Sequence, residues 1–313
     1  MRAIVDMDTV QVELTNACIN TCSNCTRFCG HQSPFFLSEE QFKEAIDSMV
    51  GFPKMVGFMG GEPLLHPQFE KFCEIALEKI PKAQLGLWTS LPKGLEKYRE
   101  VICNTFNHIF INDHSRGDIY HCPILVGAEE VYEDKKEMFF AIDHCWLQNA
   151  WSASINPKGA FFCEIAASMS VLFDGPRGWP VEPGWWWATP KDFKEQIEEY
   201  CPKCGAALPL PRRASIERVD DISPKNLERL KERSKKVENK LYKVSNLKLT
   251  KIPEQMAAYK DLLWRRKVAQ RFGLWLSPNQ QGFLTPFISK SIPQTKTIFE
   301  QCKEDYHASE AKC

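Results

Sequence analysis

The chain contains no uninterrupted apolar run approaching the roughly 18 residues that a membrane-spanning helix requires. Its opening residues, MRAIVDMDTV, have no apolar stretch long enough for the core of a secretory signal. A cytoplasmic location is therefore expected. It also lacks net charge: 40 Lys and Arg balance 40 Asp and Glu, so no global field selects a partner. Internal repeats and low-complexity segments are missing too, which argues against a repeat array or a disordered scaffold. What remains is a globular chain of 313 residues with an ordinary apolar fraction of 43%, long enough for one large domain with appendages.

Two features stand out against this background. Charge is balanced overall but not locally: positions 1–205 carry a net −10 and positions 206–313 a net +10. A basic end on an acidic body suits an anionic partner, an intramolecular docking surface, or simply a solvated helical face. Cysteine is abundant, at 13 residues. In a reducing compartment that number fits metal or redox chemistry better than a disulfide framework.

The pattern over 10–115 alternates short apolar runs with amphipathic helices. Strands are expected at Val10–Leu14, Met55–Met59, Leu85–Trp88 and Ile109–Asn112. Helices are expected from Ser38 to Val50, from Pro67 to Ile80 and over 93–103. Ser38 and Gln41 have capping-box spacing. Repeated βα units imply a parallel sheet with crossover helices, with chemistry at the C-terminal strand ends. Past residue 145 the style changes. Asn156-Pro157-Lys158-Gly159 reads as a hairpin turn, followed by a helix from Glu164 to Phe173, a Pro- and Trp-rich loop, and a short helix over 190–200. A charged helix is expected over 224–240, and a basic, aromatic amphipathic one over 255–276.

Cys18, Cys22 and Cys25 lie in a Cys-x3-Cys-x2-Cys loop directly after the first expected strand. Three soft, anionic thiolates can hold a cubane iron–sulfur cluster and leave one iron without a protein ligand. The other possibility on these residues is a zinc loop that recruits Cys29. The second strand ends in Met59-Gly60-Gly61-Glu62-Pro63, where glycines permit close approach of a ligand and a carboxylate can pair with an ammonium group.

The two motifs together resemble the radical S-adenosylmethionine (SAM) superfamily. That resemblance implies a partial (β/α)6 TIM-like barrel and a [4Fe-4S] cluster on Cys18, Cys22 and Cys25. It also implies that the open iron and the Gly60-Gly61-Glu62-Pro63 turn bind SAM, whose one-electron cleavage yields a 5′-deoxyadenosyl radical. Thr89 and Ser90 at the third strand end, and Asn112, His114 and Ser115 at the fourth, match positions where members contact SAM. An electron donor such as flavodoxin or ferredoxin is implied as partner. Many members carry an aromatic residue before the third cysteine; here it is Asn24, so stacking of adenine there is not implied.

A second set, Cys145, Cys163, Cys201 and Cys204, follows the barrel region. Four thiolates suit either a fully ligated cubane or zinc. The order of hairpin, helix and Cys-x-x-Cys resembles the Twitch module, a relative of SPASM, and implies an auxiliary [4Fe-4S] cluster. The expected division is a radical SAM core at 1–140, the auxiliary-cluster module at 141–205 and a basic, largely helical extension at 206–313.

The resemblance implies abstraction of hydrogen from a small polar, carbohydrate- or nucleotide-sugar-like substrate. Oxidation follows if the auxiliary cluster takes an electron; epimerisation follows if a thiol returns hydrogen, with Cys29 and Cys122 as the donors considered. A peptide- or protein-modifying maturase and a non-catalytic iron–sulfur protein are the alternatives. Nucleic acid is not expected, because basic residues are interleaved with acids until 255–276. That helix could pack on the barrel or touch a membrane surface. Arg212 and Arg213, just after the second cysteine set, are expected to face an anionic group.

Overall fold

The computed structural model describes residues 1–114, 117, 119–147, 152–208 and 210–246. Ser115, Trp151 and the 255–276 segment lie outside the described residues. Among the described residues no helix is long and apolar enough to cross a membrane.

A six-stranded sheet with order β4-β3-β2-β1-β6-β7 organises the chain. Its strands are β1 (Thr9–Thr15), β2 (Met55–Gly60), β3 (Leu85–Thr89), β4 (His108–Ile111), β6 (Ala153–Asn156) and β7 (Gly159–Phe161). All neighbours run parallel except β6 and β7, which form an antiparallel hairpin. Helices α1 (Glu39–Ser48), α2 (Phe69–Lys79) and α3 (Arg99–Thr105) make the crossovers between β1 and β4. The mixed α/β fold with a parallel sheet therefore forms. Its sixfold count is reached differently from a run of six βα units: four strands come from such units, and the hairpin adds the last two on the other side of β1.

Between β4 and β6 the one strand among the described residues is the two-residue β5 (Tyr120–His121), which pairs with β8 (Arg213–Ala214) in a separate ribbon. His121 explains the diversion. Its Nδ1 donates to the Ser23 carbonyl at 2.6 Å, so β5 underlies the cysteine loop instead of extending the sheet.

Local chemistry accounts for the elements. Ser38 and Gln41 form the reciprocal capping box that starts α1. β1 alternates Val10, Val12 and Leu14 with Thr9, Gln11, Glu13 and Thr15, and every one of these side chains is buried. Alternation in a strand sends the two sets to opposite faces. The apolar face meets the helices, and the polar face turns inward. Aromatic side chains fill the helix side: Phe42 stacks on Phe72 at 4.0 Å and meets Phe58 edge-on at 5.3 Å.

The single charged helix expected over 224–240 is two short ones, α8 (Pro224–Leu230) and α9 (Lys235–Glu238). Ser234 breaks it, because its hydroxyl caps the Val237 amide and lies 2.7 Å from His31 Nδ1. A Ser side chain that satisfies backbone locally competes with helix propagation. Between β7 and β8 run α6 (Glu164–Leu172), α7 (Lys194–Tyr200) and a 3-10 turn at Cys201–Lys203.

Phe42→Ala removes a fully buried ring with two aromatic neighbours and is expected to cost about 3–5 kcal/mol of stability. Urea denaturation of the purified protein measures it. A loss below about 1 kcal/mol would mean that the helix layer does not depend on this cluster.

Candidate metal centres

The cysteine loop leaves the end of β1 and is fastened to the end of β2. Gly61 N donates to Thr15 O at 2.8 Å and Glu62 N donates to Ala17 O at 2.7 Å. A Cβ on Gly60 would lie 2.1 Å from Thr15 O, and one on Gly61 would lie 2.3 Å from Ala17 O. Glycine is thus required here by backbone against backbone. The sequence pattern suggested approach of a ligand, whereas the neighbour that excludes a side chain is the cysteine loop itself.

Cys18, Cys22 and Cys25 all line one cleft with about 550 Å³ of free space, together with Gly60, Gly61, Thr89, Ser90, Asn112, His114 and His121. Cys29 lines the same cleft. Hydrogen bonding of Cys29 to Cys18, then to Cys25, together with burial, raises its pKa well above the ordinary thiol value. The Cys29 hydrogen bond is in turn the main reason that the Cys25 pKa falls to about 5. Cys22 is pushed up by burial and by its two neighbouring thiols.

Glu62 is fully buried beside the cleft. Its carboxylate accepts from Thr89 Oγ1 at 2.6 Å, Ser90 N at 2.8 Å, Ser90 Oγ at 2.6 Å and Leu64 N at 3.3 Å. Burial raises its pKa despite these donors. Four donors occupy the four acceptor sites of a carboxylate, so Glu62 ties the ends of β2 and β3 together. Pro63 opens the 3-10 turn that follows, Pro63–Leu65.

Two buried acceptors at the cleft have no hydrogen-bond partner among the described residues, Asn112 Oδ1 and His121 Nε2. Burial lowers the His121 pKa, and lowers that of its ring neighbour His114 to about 3. Both imidazoles are thus neutral, and the Nδ1 donation of His121 leaves Nε2 with a lone pair. In the sequence His121 is a site candidate only as the neighbour of Cys122.

The segment after the second cysteine set grips the loop. Asn24 has a left-handed backbone, φ 49°, a region that Asn tolerates better than most residues. Its Nδ2 donates to Asp221 Oδ2 at 2.9 Å, and Asp221 N donates back to Asn24 Oδ1 at 2.9 Å. Asn24 N donates to Asp220. The Lys236 ammonium donates to Cys22 O at 2.8 Å and to both Asp220 oxygens at 3.0 Å. His31 Nε2 lies 2.8 Å from Asp220. Burial alone would raise the Asp220 carboxyl, but the His31 hydrogen bond and the Lys236 charge outweigh it and hold the pKa below the ordinary carboxylate range. Arg213, expected to face an anion, is committed instead to Asp221 and Glu217, each at 2.6 Å.

Cys145, Cys163, Cys201 and Cys204 come together around a separate, largely apolar cavity of about 400 Å³ lined also by Leu147, Ile165 and Met169. Burial, then mutual repulsion, raises the pKa of Cys163, Cys201 and Cys204. The α6 amides nearest Cys163 partly offset its shift, and Ala206 N donates to Cys204 Sγ at 3.3 Å. Cys122 is a lining residue of neither cavity. Among the described residues no three His, Cys, Asp or Glu side chains form a set poised for a single metal ion.

No protein-family model matches the chain, and no curated protein does. Solved structures of one protein are similar to part of the chain. BtrN in an open conformation matches with TM-score 0.42 and 16% identity, over 63% of this chain and 86% of its own. BtrN in complex with AdoMet and 2-DOIA matches with TM-score 0.42 and 14% identity, over 63% of this chain and 88% of its own. A likeness this distant bears on none of the assignments below.

Asp220→Asn would leave the buried Lys236 ammonium with no counter-charge and is expected to cost about 3–5 kcal/mol. A carboxylate with a depressed folded pKa contributes stability that is present above its unfolded value, near ~3.9, and is lost as pH falls through the folded value. The unfolding free energy of the native protein should therefore drop across that acid range, and the variant should lack this component. Denaturant titrations at a series of pH values read both effects; identical profiles would remove Asp220 from the clamp.

Proposed function

We propose that the protein is a radical SAM enzyme that oxidises a small polar, carbohydrate- or nucleotide-sugar-like substrate. Cys18, Cys22 and Cys25 would hold the cluster that binds SAM, and Cys145, Cys163, Cys201 and Cys204 a second [4Fe-4S] cluster. The observation that carries this reading is the gathering of eight cysteines at two cavities, Cys18, Cys22, Cys25 and Cys29 from one loop and Cys145, Cys163, Cys201 and Cys204 from three separate segments.

The donor sets fit these groups. Thiolates are the ligands that iron–sulfur clusters take. Each set surrounds free space instead of converging on one point, which favours a multi-atom cluster over a single zinc. Asn112 Oδ1 and His121 Nε2 are acceptors that require donors from a ligand, and SAM offers an ammonium and two hydroxyls. When bound, the two clusters and SAM supply one-electron cleavage of SAM, hydrogen abstraction by the resulting radical, and an acceptor for one further electron.

The chain's own residues do the rest. Glu62 holds Thr89 and Ser90 at the rim, and the Thr15 and Ala17 carbonyls hold Gly61 and Glu62 against the cysteine loop. His114 backs His121 with ring centroids 5.1 Å apart, which fixes the direction of the Nε2 lone pair. Oxidation is favoured over epimerisation by the two thiols considered as hydrogen donors. Cys29 is engaged by Cys18 and Cys25, and Cys122 does not line the first cleft.

Anaerobically reconstituted protein should contain about eight irons per chain, falling by half when Cys18, Cys22 and Cys25 are all changed to Ala. With Cys201 and Cys204 changed to Ala, reduced enzyme should still form 5′-deoxyadenosine from SAM but yield no oxidised product from candidate sugars. Unchanged iron in the triple variant would reject the first site. One zinc per chain, or oxidised product at the wild-type rate in the double variant, would reject electron acceptance at the second.

A further inference from the structure

One guanidinium lies between the two cysteine sets. Arg27, two residues after Cys25, lines the first cleft and is only 4% exposed. Its Nε is 3.1 Å from Glu13 on β1. Its NH2 is 3.1 Å from Glu164 Oε2, and its NH1 donates to the Glu164 carbonyl at 3.2 Å. Glu164 is the residue immediately after Cys163, which is the N-cap of α6, and the first residue of that helix. Gln11 also accepts from Arg27. Ser168 donates to Glu13 at 3.0 Å, and Ser152 donates to Glu164 at 2.7 Å.

Two buried carboxyl groups thus share one buried cation; burial raises the Glu13 pKa, and among the described residues Glu13 Oε2 and Glu164 Oε1 have no hydrogen-bond partner. Such a group is costly for stability alone. Charges this deeply buried are weakly screened, so each is felt at both cavities.

We propose that the Glu13–Arg27–Glu164 bridge couples the two centres electrostatically, with Arg27 the positioning residue that sets how readily each accepts an electron. The proposal rests on the two-cluster reading above and adds to it a physical link between the sites. Arg27 belongs to the first loop and Glu164 to the second, so each substitution is local to one centre and acts on the other through the bridge. Loss of the cation makes both centres harder to reduce; loss of the Glu164 charge makes both easier.

The test is redox titration of the reconstituted holoenzyme, followed by electron paramagnetic resonance, for Arg27→Gln, Arg27→Lys and Glu164→Gln. Arg27→Gln should shift both potentials down, Glu164→Gln should shift both up, and Arg27→Lys should stay near wild type. A packing role alone would not reverse sign with charge. Both substitutions moving potentials in the same direction, or either leaving the distant centre unmoved, would overturn the proposal. If Arg27→Gln fails to retain iron, Glu164→Gln and Arg27→Lys still decide it. Zinc at the second site would end the two-cluster reading on its own; the bridge then stands or falls on whether Glu164→Gln moves the first cluster.

Discussion

The arrangement depends on holding an irregular loop rigid while its side chains point at one space. A loop of this kind cannot satisfy its own backbone, and thiols cannot converge on a cavity unless the chain carrying them is fixed from outside. Four neighbours do this work. The Thr15 and Ala17 carbonyls zip the loop to the β2 turn. The Lys236–Asp220 pair grips the Cys22 carbonyl. Asn24 locks onto Asp221, and Arg27 is anchored between two carboxylates. The Lys236–Asp220 pair and Arg27 with its two carboxyl partners are buried, where an unmet polar group is expensive, so the loop has few alternatives.

The second centre is joined to the first through the same devices. β6 pairs directly with β1, so the hairpin ahead of Cys163 continues the core sheet. Residues 213–246 then return to the first loop through the ribbon of β5 and β8, the Ser23–Ser215 hydrogen bond and the Asp220 cluster. Chain beyond the second cysteine set is therefore part of the wall of the first. The acidic and basic runs there are not simply a solvated face, because Lys236 is 2% and Asp220 1% exposed.

Local signals were the legible ones. The Cys-x3-Cys-x2-Cys spacing, the capping box at Ser38 and the βα alternation each sit within one short segment; the four strands formed within one residue of their expected bounds, while the third helix, expected over 93–103, formed as Arg99–Thr105. Partnerships across the chain were not legible. Arg27 and Glu164 are 137 positions apart, and His31 and Asp220 are 189 apart; nothing in composition pairs them. Gln11 and Glu13 gave a usable clue, since polar residues alternating through a central strand must face something polar. The glycines at 60 and 61 were readable as obligatory but not as to cause, because a sequence does not say whether ligand or backbone comes close. Asn24 departs from the aromatic pattern for a reason now visible: its left-handed backbone and its two side-chain hydrogen bonds.

The central claim is that two distinct clusters occupy the two cysteine sets and that only the first binds SAM. Electron paramagnetic resonance of the dithionite-reduced protein, recorded with and without SAM, tests it most directly. The account predicts two overlapping cluster signals, one of which shifts on addition of SAM while the other stays unchanged. A single signal, or two signals both indifferent to SAM, would contradict it.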